Sequence, residues 1–271
     1  MELQFTLYSV GVLAPGLSSL ADWLDWCKTR QPVAADTTLL PLPLALPANE
    51  RRRSSQVVRL ALACAEQALA RSPFAPDQLR SVFASDEGTG EVCQQMLEAL
   101  ATTGQVSPSL FHNSVHNAPA GYFSIATQSR QPSVSVSLGG ESFGAGLLCA
   151  VSETCSSGQP VLLLAYDAPL PQPMRSLLPI AKATASAWII ASADAPSPAQ
   201  PPLGRFALSL NPGAADRGDT PAAWLPAAWR GNSSAQAFAV LALLANASGS
   251  CEFAFGAQRI CVRLMQSPAA C

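Results

Sequence analysis

A chain of 271 residues, 49% hydrophobic and only 13% charged, can bury one sizeable core or two small ones, which excludes a disordered, solvating polymer. Its 16 basic and 18 acidic residues leave a net charge of −2, so no polycationic surface is imposed for nucleic acid or an anionic membrane. The opening "MELQFTLYSVGVLAPG" has neither a basic head nor a long apolar core, so we expect no signal peptide, no membrane span and residence in the cytoplasm.

Residues 2–14 alternate apolar and polar side chains before a Pro-Gly break and predict a first strand. "SLADWLDWCKTR" predicts a short helix capped by Ser18 or Ser19. A proline-rich passage then leads to "SSQVVRLALACAEQALARS", whose apolar spacing predicts a buried helix. "LRSVFASDEG" predicts a strand ending in a loop, and "TGEVCQQMLEALATTG" the helix that follows. After "FHNSVHNAPAGYFSIATQSR" come the strand "SVSVSL", the helix "SFGAGLLCAVSE" and the fully apolar strand "VLLLAY". Strands alternating with helices predict an α/β protein with a mostly parallel, covered sheet. Residues 195–235, dense in Pro, Gly, Ala and Ser, predict a long irregular excursion. "AQAFAVLALLANA" predicts another buried helix, and "CEFAFGAQRICVRLM" one or two closing strands.

Gly140-Glu141-Ser142-Phe143-Gly144 has the Gly-x-Ser-x-Gly form of a hydrolase nucleophile elbow, between a predicted strand and a predicted helix. A serine nucleophile needs a neighbouring base, and in α/β-hydrolases the histidine follows the serine in the chain. The only histidines here, His112 and His116, both precede Ser142, so that triad order is impossible. Lys182 is one of two lysines, with Lys28, and nothing in its setting aims it at Ser142. His112 and His116 share a helical face but lack a carboxylate or third histidine at matching spacing, which favours structural histidines over a metal site. Cys27, Cys64, Cys93, Cys149, Cys155, Cys251, Cys261 and Cys271 are scattered without a C-x-x-C pair and predict small apolar side chains rather than zinc ligands or disulfides.

The stretch "FHNSVHNAPAGYFSIATQSRQPSVSVSLGGESFGAGLLCAV" resembles the ketoacyl synthases of the thiolase-like fold. In that family an Asn-x-x-Ala-Gly helix precedes a "GPS-x-S-x" strand that delivers a nucleophilic cysteine to the start of a buried helix. Asn117, Ala120 and Gly121 match the helix; Pro132, Ser133, Ser135 and Val136 match the strand. The resemblance spans roughly residues 55–190 and is specific as a combination. It puts Gly140 at the cysteine position, where a helix N-terminus would lower a thiol pKa and offer N–H groups to an oxyanion. The family's His-x-Thr-x-Thr loop and Gly-His turn are absent, and only "EFAFGAQRICVRL" is faintly similar to its Gly-rich terminal strand.

The resemblance implies a layered αβαβα thiolase-like fold. Residues 1–194 would form the N-terminal ketosynthase-type domain, with 195–271 completing it as a Pro/Gly-rich excursion, a helix and strands. It implies a non-catalytic, chain-length-factor-like subunit paired with a full-length ketoacyl-ACP synthase, reaching acyl carrier protein through that partner and needing no cofactor. "SVHNAPAGY" and "ERRR" look like the short ketoacyl-synthase-like subunits of aryl polyene clusters. On this pattern Ser133, Val134, Ser135, Val136 and Ser137 dock on the same strand of the partner, and Leu110, Phe111 and Asn117 wall the partner's acyl tunnel. Arg51, Arg52 and Arg53 precede a helix, where positive charge opposes the dipole, and are candidates for carrier-protein or partner contact. Glu141 is a helix-start carboxylate. The competing expectation is a stand-alone degenerate acyltransferase or hydrolase using Ser142.

Overall fold

The computed structural model describes residues 2–31, 38, 40–178, 180–195, 198–213 and 224–266. Strand β1 (Glu2–Leu13) is buried from Phe5 onward, because it lies inside the sheet and both of its faces are covered. Gly11 is demanded there: a Cβ would stand 2.1 Å from the carbonyl oxygen of Cys64. Helix α1 (Leu20–Thr29) is capped by Ser19, whose hydroxyl accepts from Asp22 N–H. Helices α2 (Ala48–Arg53) and α3 (Gln56–Leu69) follow, with Ser55 capping α3 through Val58 N–H.

The remaining elements in order are β2 (Arg80–Ala84), α4 (Gly90–Thr103), α5 (Pro108–Asn113), α6 (Ala118–Thr127), β3 (Ser133–Val136), α7 (Ser142–Ser157) and β4 (Val161–Asp167). Then come β5 (Thr184–Ser192), β6 (Gly204–Pro212), α8 (Gln236–Asn246), β7 (Ser250–Phe255) and β8 (Gln258–Gln266). The strands form one sheet in the order β3-β2-β4-β5-β1-β6-β8-β7.

Two expectations are corrected. The sheet is not mostly parallel: only β3–β2 and β2–β4 are parallel, and every other neighbouring pair is antiparallel. Apolar content cannot make that distinction, because a strand covered on both faces reads the same in either direction. Chain connection decides it. No described α-helix lies between β4 and β5, so there is no crossover to bring β5 back parallel. The second correction is β6, a nine-residue strand between β1 and β8 inside the segment read as an irregular excursion. Its Phe206, Ala207 and Leu208 are all buried, a short apolar run that the surrounding Pro and Gly mask.

Alternation along β4 builds two cores. Leu162, Leu164 and Tyr166 face α3 and α6, while Val161, Leu163 and Ala165 face α7. The sheet also curls around α7. The Phe143 ring meets Trp188 of β5 at 5.5 Å and Phe253 of β7 at 5.4 Å, although those strands are four places apart in the order. A flat sheet would separate them by about 19 Å. The layering is therefore α3 and α6, then sheet, then α7 and α8, then the β7–β8 hairpin, the layered α/β arrangement implied by the family pattern.

Candidate functional site

The turn that joins β3 to α7 is held from every side. Glu141 N–H donates to Leu138 O at 3.2 Å, Ser142 N–H to Gly139 O at 2.9 Å, and Phe143 N–H to Ser233 Oγ at 2.9 Å. The first N–H groups of α7, which a helix start ordinarily offers to an anion, are thereby occupied within the chain. Gln236 Nε2, at the start of α8, donates to Gly140 O at 2.9 Å, and Glu141 Oε2 accepts from Gly256 N–H at 2.8 Å in the β7–β8 turn. Gly140 itself is exposed, lacks a left-handed φ, and has no described atom within 4 Å of where a Cβ would sit. Neither sterics nor backbone geometry requires glycine there.

Ser142 is 1% exposed. Its hydroxyl accepts from Leu138 N–H at 2.8 Å and has one proton for two acceptors, Asp86 Oδ1 at 2.7 Å and Gly139 O at 2.8 Å. A buried hydroxyl so engaged ties the turn together, and no histidine contacts it. His116 instead places Nε2 3.3 Å from Ser85 O and packs over Gly88, while His112 stacks edge-on against Tyr122.

Beneath the turn lies a polar network that sequence reasoning missed. Asp167, fully buried at the end of β4, accepts on Oδ1 from Ser85 Oγ at 2.9 Å, Asp86 N–H at 2.7 Å and Glu87 N–H at 3.0 Å. Its Oδ2 accepts from Ser234 N–H at 3.1 Å. Burial pushes the Asp167 carboxyl up to about 7, against the lowering effect of these donors. Glu87 rises to about 8, through burial first and the Asp167 charge second. Asp86 is raised by burial and partly restored by its Ser142 hydrogen bond. The network joins the ends of β2 and β4 to the start of α7 and to Ser233 and Ser234. The available signal was a carboxylate ending an apolar strand and an acidic pair directly after another, both at carboxyl ends of parallel strands.

The structure separates residues the sequence grouped. Phe111 and Asn117 line one groove of about 520 Å³ between α5 and α6, with Val115, Gly121, Tyr122 and Ile125. Leu110 lines a more polar pocket of about 460 Å³ with Arg53, Arg59, Glu91 and Asn113. Phe111 is 66% exposed, so it is no core residue of this chain. Strand β3 is at the sheet edge: Ser133, Val134 and Ser137 are exposed, Ser135 and Val136 half-buried, and its outer side has no strand partner among the described residues. Arg51, Arg52 and Arg53 occupy the last turn of α2, where that helix's dipole favours positive charge, while they still precede α3, which starts at Gln56. Among the described cysteines Cys27 and Cys64 are buried, the other five are half-buried, and none is paired; Cys271 lies outside the described residues. Burial pushes the Cys27 thiol up to about 11. The described residues contain no group of three His, Cys, Asp or Glu side chains able to hold a metal, and no helix long and apolar enough to cross a membrane.

Residues 23–246 match the family model "Beta-ketoacyl synthase, N-terminal domain". The chain belongs to the beta-ketoacyl synthase family. No curated protein sequence matches it. Among solved structures, a ketosynthase (ApeO) in complex with its chain length factor (ApeC) from Xenorhabdus doucetiae is similar at 23% identity, covering 96% of this chain and 99% of the matched chain, with a TM-score of 0.73. The ishigamide ketosynthase/chain length factor is similar at 14% identity over 98% and 100%, TM-score 0.71. The acyl-carrier complex AntDE:AntF is similar at 12% over 98% and 100%, TM-score 0.76. At these identities the likeness is one of fold. Within the matched residues lie β3, the turn and the buried helix α7, with glycine at position 140 of that turn.

Proposed function

We propose that this chain is the non-catalytic, chain-length-factor-like subunit of a heterodimer with an active, full-length ketoacyl-ACP synthase, acting in the cytoplasm in polyene or fatty-acyl elongation. One observation carries the reading: the edge of β3, unpaired among the described residues, stands beside a turn with glycine at position 140, and apolar residues lie exposed on it and in the α5–α6 groove. Val134 is 42% exposed, Leu138 49%, Phe111 66% and Val115 49%. A strand edge with free donors and acceptors is satisfied by pairing with another strand, and apolar side chains in that position favour burial against a partner. The internally occupied helix start at Glu141, Ser142 and Phe143 supports a subunit that does no acyl chemistry of its own.

In this reading Ser133 to Ser137 pair with the partner's strand, and Phe111 with Asn117 close the end of its acyl tunnel. Leu110, facing the other pocket, is set apart from that role. Arg51, Arg52 and Arg53 remain candidates for carrier-protein or partner contact, and the similarity of "SVHNAPAGY" and "ERRR" to aryl polyene subunits supports that product class. The test is co-expression with a tagged ketosynthase from the same cluster. The pair should co-purify, and only the ketosynthase should become acylated by thioester substrate. Phe111→Ala should then lengthen and Phe111→Trp shorten the products. Acylation of this chain alone would overturn the proposal.

A further inference from the structure

The pocket of about 460 Å³ lined by Leu110 and Asn113 has no lining residue in common with the α5–α6 groove or the Gly140 turn. Helices α2 and α3 supply its positive groups, Arg53 and Arg59, and α4 supplies one carboxylate, Glu91. Arg59 Nε donates to Ser54 Oγ at 3.3 Å, and that hydroxyl donates to Arg51 O at 2.8 Å. The side chain is thereby held while both of its terminal nitrogens are without a partner among the described residues.

The start of α3 adds a third positive source. Val58 N–H donates to Ser55 Oγ at 3.3 Å and Arg59 N–H to Ser55 O at 3.1 Å, whereas the N–H groups of Gln56 and Val57 have no acceptor among the described residues. Partial positive charge gathers at such a start. A second observation, independent of the helix, comes from α5. Asn113 is 4% exposed and lines the same pocket. Its Nδ2 donates to Ser109 O at 2.8 Å and Arg53 O at 3.2 Å, which fixes the amide, and its buried Oδ1 has no donor among the described residues. A buried acceptor without a donor is costly, so the pocket wall calls for a donor that the chain does not provide.

We infer that this pocket binds a small phosphate monoester that also carries an amino group. The phosphate is held by Arg53, Arg59 and the first N–H groups of α3, and the ammonium by Glu91 and Asn113 Oδ1. Two guanidinium groups and a helix start suit a phosphate dianion better than a carboxylate. Glu91 repels a bare phosphate, and an ammonium on the same molecule turns that repulsion into attraction. Leu40, Leu42 and Leu110 cover the carbon chain between the two charges. This site is independent of the heterodimer proposed above.

The full chain is titrated with ethyl phosphate, phosphoethanolamine and aminobutyl phosphate by calorimetry, as wild type, Arg59→Gln and Glu91→Gln, with a circular-dichroism melt of each. In the wild type at least one aminophosphate should bind about tenfold tighter than ethyl phosphate, the worth of one charge-assisted hydrogen bond. Arg59→Gln should weaken every phosphate about tenfold. Glu91→Gln, which removes the charge and keeps the shape, should weaken the aminophosphates and strengthen ethyl phosphate, opposite shifts that a loss of folding cannot produce. Absence of binding by all three compounds in the wild type would overturn the inference, and so would equal binding with and without the amine. Equal affinity in wild type and Arg59→Gln would place the phosphates elsewhere and overturn it too.

Discussion

The turn before α7 and the face formed by α5, α6 and β3 adjoin each other and are built on opposite terms. At the turn four polar groups find partners within the chain: Phe143 N–H finds Ser233, Gly140 O finds Gln236, Glu141 finds Gly256, and Ser142 finds Asp86. On the neighbouring face an edge strand has no partner among the described residues, and Phe111, Val115 and Val134 lie open. In a condensing enzyme the turn would be the part left open for substrate. Here the openness lies on the face, which agrees with the subunit role proposed above.

The comparison can be broken most sharply at its base. Asp167→Ala removes the acceptor of Ser85 Oγ, Asp86 N–H and Glu87 N–H, leaves Ser234 N–H with Asn232 Oδ1 alone, and should cost roughly 3–5 kcal/mol in urea denaturation. A loss under about 1 kcal/mol would mean that the network does not hold the turn. Gly146→Ala should cost about 1–3 kcal/mol through overpacking against Ala84, whereas the same change at Gly121 should leave the chain as stable or more so. Equal effects at both glycines would erase the distinction between inward and outward helices.

Protonation sharpens the comparison further. Asp167 and Glu87, raised to about 7 and about 8 by burial, keep protons in the folded chain that the unfolded chain releases near pH 4. Between those values the folded state binds more protons, so stability should fall as pH rises from about 5 through about 8. Thermal melts at pH 5.5 and 8.5 should show the lower midpoint at 8.5, and Asp167→Asn should flatten the difference. A higher midpoint at 8.5 would show both groups ionised in the fold. Ser233→Ala should cost about 1 kcal/mol by stranding Phe143 N–H. Gly140→Ala should change stability by less than about 0.5 kcal/mol, since no atom stands in its way.

Much of the fold was legible because its signals are local. Ser19 and Ser55 announce α1 and α3 as caps, Gly104 and Gly158 end α4 and α7 in the left-handed conformation, and "VLLLAY" is β4 nearly to the residue. Of the candidate site, the Gly140 turn and the β3 edge were legible through the family pattern. The grouping of Leu110 with Phe111 was not, because adjacent residues on a short helix point to different sides and only the packing of α2, α4 and α6 says what each side meets.

By itself, then, the sequence determined about half of the helices and most of the strands, that the chain follows the ketosynthase pattern, and that glycine stands at position 140; these depend on neighbours within a few residues. Tertiary structure alone decided that β6 enters the sheet, that β5 runs antiparallel to β4, and that Asp86, Glu87 and Asp167 share one buried network. Each of these is a meeting of segments distant in the chain, set by how strands connect and by which polar groups must find partners once water is excluded.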